Sequence, residues 1–176
     1  PELLACDPNQ VGETAFFYNF PHTRQEFPNQ RGADVMCPSK ETTYQFISDV
    51  LEETMKLFPG TYIHVGGDEV DASAWAKCKD CAHPERRGIK DYHTLQAMFM
   101  QRIEKQLLAN NRRLIGWDEI LEGGLPPQAT VMSWRGTEGG LKAASEGHDV
   151  VMSPVTDMYM DYLQTSSPNE PPGRPL

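Results

Sequence analysis

The chain has 176 residues, 39% hydrophobic and 23% charged, an ordinary globular composition with enough apolar material for one core. Its formal net charge of −9, with no run of Lys and Arg, argues against nucleic acid or an anionic membrane as partner. No apolar stretch approaches the roughly 18 residues that a membrane span requires.

Residues 1–38 read as irregular, with prolines, Cys6 and Cys37, and the aromatic patch AFFYNF. The chain opens on PELLACDPNQ without an initiator Met and closes on SSPNEPPGRPL, so both ends read as cut from something longer. Ser39 is the expected N-cap of a helix running to about Phe58, because Tyr44, Ile47, Leu51, Met55 and Phe58 recur at the three- and four-residue spacing of one helical face. Pro59-Gly60 ends it, and the short strand-like run Tyr62–Val65 leads into GGDE.

A polar loop then carries Cys78 and Cys81 in CKDC, followed by His83. The C-x2-C spacing fits zinc or redox chemistry, but no second C-x2-C or H-x3-5-H pair accompanies it. The favoured reading is a loop staple or idle thiols, with no metal and no cofactor expected. A second helix is predicted over Tyr92–Asn110, with Leu95, Phe99, Ile103 and Leu107 on one side. Strands follow at RLIGW (113–117), ATVMSW (129–134) and DVVMS (149–153), with a short Gly-weakened helix in GTEGGLKAASEGH between the last two.

Strands alternating with helical patterns, without hairpin signals, predict parallel βα units. An open doubly wound sheet concentrates its ligand at one switch point, usually beside a Gly-rich phosphate turn, and no such turn follows any strand here. Instead HVGGDE, IGWDE, MSWRG and SPVTDMYMDY each place an acid or a large aromatic at a strand's C-terminal tip or beyond it. A (β/α)8 barrel gathers its site from many strand ends on that face. The predicted class is α/β: a partial TIM barrel holding the middle and later strands only, since a complete one takes about 250 residues.

The adjacent acids Asp68 and Glu69 need a reason, because like charges repel and neighbouring strand residues face opposite ways. Gly66 and Gly67 permit the unusual backbone that lets both carboxylates reach one cavity. Two carboxylates close together have their pKa values pushed apart, leaving one ionised and one able to donate a proton. The alternative is that the pair caps a following helix. Trp117 and Trp134 tilt the balance, since two tryptophans at equivalent strand ends beside polar groups suit a sugar ring better than a core. Tyr159 and Asp161 share a face if their segment is extended, with Met158, Met160 and Tyr162 on the other. They present either a donor–acceptor pair to a polyhydroxylated ligand or a surface loop.

Together HVGGDEV, GWDEILEGG, VMSWRG and YMDY, with PELLAC and FPGTYIHVGGDE, resemble the family 20 glycoside hydrolases, the β-N-acetylhexosaminidases. The resemblance implies a barrel catalytic domain, incomplete over 1–176, that removes terminal β-linked N-acetylglucosamine or N-acetylgalactosamine from glycans with retention. The substrate's own 2-acetamido oxygen is the nucleophile in such enzymes. By resemblance, Glu69 protonates the leaving oxygen and then activates water. Asp68 holds the acetamido N–H, Tyr159 bonds the acetamido oxygen, Asp161 a sugar hydroxyl, and Trp117 and Trp134 wall the pocket. His64 is expected to be structural; Asp118 and Glu119 match GWDE as candidates for the pocket rim, with no assigned role. A periplasmic, extracellular or lysosomal-type compartment is what the resemblance favours. Two other readings stand beside it. One is a carbohydrate-binding protein without chemistry; the other is a metal-dependent hydrolase using His64, Asp68 and Glu69, disfavoured because the spacing lacks an H-x-x-x-H pattern.

Overall fold

The computed structural model describes residues 35–70, 72–167, 169, 171 and 173, so the predicted irregular stretch 1–38 lies almost wholly outside the described residues. In chain order the elements are α1 (Glu41–Leu57), β1 (Tyr62–His64), α2 (Ala72–Lys77), a 3-10 turn (Pro84–Arg87), α3 (Tyr92–Ala109) and β2 (Arg113–Trp117). A second 3-10 turn (Asp118–Leu121), β3 (Thr130–Ser133), α4 (Glu138–Ser145), β4 (Val150–Met152) and α5 (Val155–Met158) complete it.

The helices start and stop for local reasons. Asp91 caps α3 by accepting the Thr94 backbone N–H and hydroxyl, both at 2.8 Å. The cap expected of Ser39 is absent: Lys40 occupies that position with no side-chain bond, while the Ser39 hydroxyl lies 3.3 Å from Cys81 Sγ. Leu51 on α1 is buried, with Ile47 and Met55 packed beside it, as the stripe requires. Phe58, the last residue of the stripe, is instead 62% exposed, because the helix has ended before it. On α3 the buried face also takes in Gln96 and Glu104. Both are hydrogen-bonded: Gln96 donates to Gly67 O, and Glu104 accepts from Gln128 N, each at 2.8 Å. The helix thus ties down two loops that flank the sheet.

All four strands are parallel and lie in chain order, β1-β2-β3-β4. Strand order in a doubly wound sheet reverses at a switch point, and here it does not. Ile63 pairs in register with Leu114, and Gly116 with Val131. Ile63, Leu114 and Val131 form one apolar cluster with Leu51 of α1, Met100, Ile103 and Leu107 of α3, and Ala143 of α4. Every helix of that cluster therefore covers the same face of the sheet, as right-handed crossovers in a barrel wall demand. Leu107 and Leu114 are fully buried, and truncating such a side chain to Ala costs about 2–5 kcal/mol. Period two puts Tyr62, His64, Ile115, Trp117 and Met132 on the opposite face. The sheet is a sector of an α/β barrel, with its strand tips all at one end.

Candidate active site

At the tip of β1 the chain stops alternating and turns through Gly66 (φ 76°) and Gly67 (φ 97°). Gly67 has no substitute here, since a Cβ would lie 2.6 Å from Ile120 Cγ2. Without a side chain there, the Asp118–Leu121 turn packs directly against the backbone of Gly67. Gly66 O accepts from Trp117 N at 2.9 Å, extending the β1–β2 ladder one step past the strand. His64 sits on the face away from the helices, and its Nδ1 accepts the Gly66 N–H at 3.1 Å. Partial burial lowers the His64 pKa, opposed by the nearby Asp68 charge. A neutral ring protonated on Nε2 is the form that this bond needs. The turn is therefore gripped from three sides, by His64, β2 and Gln96.

Out of that turn come Asp68 and Glu69. Glu69 has φ 47°, in the left-handed region that costs a side-chain-bearing residue about 1–3 kcal/mol and collects at functional sites. Both acids are exposed and precede α2, whose first residue is Ala72.

The next two strand tips supply the aromatic wall. Trp117 meets His64 edge-on, with ring centroids 4.8 Å apart, and Trp134 at 6.5 Å. Trp134 is stacked on Tyr159, at 6.3 Å and 17° between planes. One row of rings thus runs from His64 at the end of β1, past the tips of β2 and β3, to Tyr159 just beyond α5. Its middle is pinned: Trp134 Nε1 donates to both Glu119 oxygens, at 3.1 and 3.0 Å. Burial raises the Glu119 carboxyl pKa, opposed chiefly by that indole bond and by the Arg135 charge. Arg135 Nε donates to Asp118 Oδ1 at 3.0 Å and its Nη1 to Glu122 Oε1 at 2.9 Å, while His93 Nδ1 lies 3.1 Å from Glu122 Oε2.

A cleft of about 360 Å³ opens between these groups, lined among others by Glu69, Trp75, Tyr92, Gln96, Glu119 and Trp134. Of the residues singled out from sequence, Glu69 and Trp134 line it directly. Trp117 and Tyr159 join through the ring row, and Asp68 stands beside Glu69 and His64. Asp161 is exposed and lines no part of this cleft. Tyr159 is half-buried, Met160 93% exposed, and Asp161 exposed. The segment begins with the helical turn of α5, so a strict period of two starts only after Met158.

The sequence reading missed the part played by Asp118, Glu119 and Arg135. Its signal was present, an acid pair just beyond one strand tip and a Trp-Arg pair at the next, but only pairing of those strands shows that they meet. The set His64, Asp68 and Glu69 brings no three ligand atoms together. Among the described residues the group able to do so is Cys37, Cys78 and Cys81.

Residues 9–175 match the model of the glycosyl hydrolase family 20 catalytic domain. The chain belongs to glycosyl hydrolase family 20. It is 51% identical over 140 residues to a beta-hexosaminidase of Porphyromonas gingivalis, covering 78% of this chain and 18% of the relative. A beta-hexosaminidase of Vibrio furnissii is 35% identical over 140 residues, 78% of this chain and 23% of its own length. Among solved family 20 structures, the exo beta-N-acetylglucosaminidase of Vibrio harveyi in complex with N-acetylglucosamine superposes with a TM-score of 0.72 at 36% identity, over 80% of this chain and 22% of that one. The chain thus spans about a fifth of the length of these relatives. Its four-stranded sector is part of the family 20 barrel, and no helix among the described residues is long and apolar enough to cross a membrane.

Proposed function

We propose that the protein containing this segment removes terminal β-linked N-acetylhexosamine from glycans, and that residues 1–176 are an incomplete catalytic domain whose barrel is closed by strands from the rest of the protein. The observation that carries the reading is Glu69, held in a left-handed conformation behind a doubly glycine-built turn and lining a cleft walled by Trp134. Membership in family 20 and the names of the relatives support it.

In this reading the chemistry is substrate-assisted, family 20 being an exception to the two-carboxylate rule. The acetamido oxygen attacks the anomeric carbon as the glycosidic bond breaks, and the Glu69 carboxyl gives its proton to the leaving oxygen. An oxazolinium ion results. Asp68 accepts the acetamido N–H and offsets the positive charge that spreads over the new ring. Glu69, now a carboxylate, takes a proton from the water that opens it. Adjacent acids serve adjacent atoms of one sugar, which gives the tandem placement its reason. Trp117, Trp134 and Tyr159 supply flat apolar walls and a phenol to the sugar.

The test is the substrate's own requirement. In the full-length protein a plain β-glucoside should be hydrolysed several orders of magnitude more slowly than the matching N-acetylglucosaminide, the scale of losing an oriented intramolecular nucleophile. A thiazoline analogue of the bicyclic intermediate should inhibit strongly. Equal turnover of both sugars, with a covalent glycosyl adduct trapped on Asp68, would make that carboxylate the nucleophile and sink the substrate-assisted reading. Binding without hydrolysis of either would leave a lectin-like protein.

A further inference from the structure

CKDC does not stand alone in space. Cys37 Sγ lies 3.3 Å from Cys81 Sγ and 3.8 Å from Cys78 Sγ, and the three sulfurs are all within 4.8 Å of one another. All three side chains are 0–1% exposed. They are enclosed by Trp75, Ile89 and Leu95, in an apolar cluster separate from the one behind the sheet. We propose that Cys37, Cys78 and Cys81 bind one structural zinc ion, and that this ion braces the loop and helix leading away from Glu69.

Four observations carry the proposal. First, the spacing fits the ion. A disulfide needs sulfurs about 2.05 Å apart, and neither of these two separations is near it. A tetrahedral zinc with Zn–S bonds of about 2.3 Å sets sulfurs about 3.8 Å apart, within the range seen here. Second, the backbone is shaped for it. Cys78 and Cys81 have the C-x2-C spacing that lets two sulfurs of one turn face one ion, and Ala82 N closes that turn onto Cys78 O at 2.8 Å. Third, the donor set is chemically selective: soft thiolates in tetrahedral array take zinc in preference to magnesium or calcium. Fourth, the Ser39 hydroxyl 3.3 Å from Cys81 Sγ can reverse its role and donate to a metal-bound thiolate, as groups around a metal site do. Three S–H protons leave for solvent as Zn²⁺ takes their place, so binding tightens with rising pH. Among the described residues no further His, Cys, Asp or Glu joins the group. The fourth position is left to water or to a donor outside them.

The consequence lies in what the ion would hold together. Cys37 belongs to the segment before α1, and Cys78 and Cys81 to the turn after α2. Trp75 already links the two, its Nε1 donating to Met36 O at 3.0 Å. Val70, Ala72 and Trp75 line the same cleft as Glu69. The chain from the acid pair to Cys81 is therefore a short bridge anchored at one end by the β1 turn and at the other by the three sulfurs. Sequence alone favours a loop staple or idle thiols because no second C-x2-C or H-x3-5-H pair accompanies CKDC. The fold instead delivers a third thiol from 41 residues upstream.

The experiment uses the full-length protein, purified without chelator or added metal. Elemental analysis should find about one zinc per chain, released when a mercurial blocks the thiols. The Cys78→Ser/Cys81→Ser double variant should lose that zinc, melt at lower temperature, and show a raised KM for an N-acetylglucosaminide. If the variant does not fold, the native protein still decides. Zinc below about 0.1 per chain, with these cysteines either freely titratable or joined in a disulfide on non-reducing peptide mapping, overturns the proposal. So does zinc retained undiminished in the double variant.

Discussion

In the proposed mechanism Asp68 and Glu69 have different duties, and substitutions that keep their shape separate them. Glu69→Gln would remove the proposed proton donor while keeping shape, so kcat should fall by about two to four orders of magnitude in the full-length protein. The loss should shrink for substrates with good leaving groups, which need little protonation; a uniform loss across leaving groups would count against the acid role. Asp68→Asn should also impair cleavage of the N-acetylated sugar, but with little dependence on the leaving group, since its part is to balance charge on the acetamido side. Glu119 acts at one remove. Its two oxygens hold the Trp134 indole N–H, and Glu119→Ala leaves that donor without its carboxylate, a cost of about 1–3 kcal/mol where the group is shielded from water. The expected kinetic signature is a raised KM from a loosened wall, recovered in large part by Glu119→Gln, which keeps one acceptor. A kcat-only loss would place Glu119 in the chemistry instead.

At the scale of elements, the turn after β1 matters more than the strand. Gly67→Ala puts a methyl group 2.6 Å from Ile120 Cγ2 at a φ of 97°, so it should lower Tm and kcat together. Gly60→Ala is the control: a Cβ there meets nothing within 4 Å, and the same assays should change little. Helix α3 carries a pH signature. Burial raises the Glu104 carboxyl pKa, opposed by the Gln128 N–H bond and the His148 charge. A carboxyl raised on folding binds more protons in the native state from its unfolded value of about 4.3 up to its folded value. Stability from this group is thus highest at low pH and is lost as pH rises through that window. Glu104→Gln keeps an acceptor for Gln128 and should flatten the fall, seen as a narrowing Tm gap between acid and neutral pH relative to wild type. These elements were legible in sequence to different degrees. Arg113–Trp117 was predicted with its observed bounds, because alternation and Gly-Trp-Asp punctuation agree. The 130–133 and 150–152 strands came out one residue shorter at each end, where Ala129, Trp134, Asp149 and Ser153 add no β-branched side chain. Helix α2 was read as loop, since six residues carry too little periodicity to declare a helix. The acid pair and both tryptophans were visible because they break local rules. The Glu119–Arg135 network was not, because its logic is long-range and its residues look like an ordinary polar loop.

For the molecule as a whole, the four strands make a wall and not yet a barrel. Among the described residues β1 and β4 each have one neighbour, and the face away from the helices carries His64, Trp117, Trp134 and Tyr62, the last 46% exposed. An open parallel edge is a template for pairing with other chains, and an uncovered aromatic face adds an apolar patch. In a complete barrel both are met by the remaining strands, which also deliver their own tips to the cleft. The 176-residue chain expressed by itself should therefore be aggregation-prone or molten and should not hydrolyse an N-acetylglucosaminide. Size-exclusion chromatography, near-UV circular dichroism and dye binding report the first part, because a molten state keeps far-UV signal while losing fixed aromatic packing. Co-expression with the flanking segments of the full-length protein should restore a cooperative melt and activity together, since both depend on closing the same sheet. A monomeric piece of 176 residues that melts cooperatively and turns over substrate would mean that the sector completes its own core and pocket, and the incomplete-domain reading would fall.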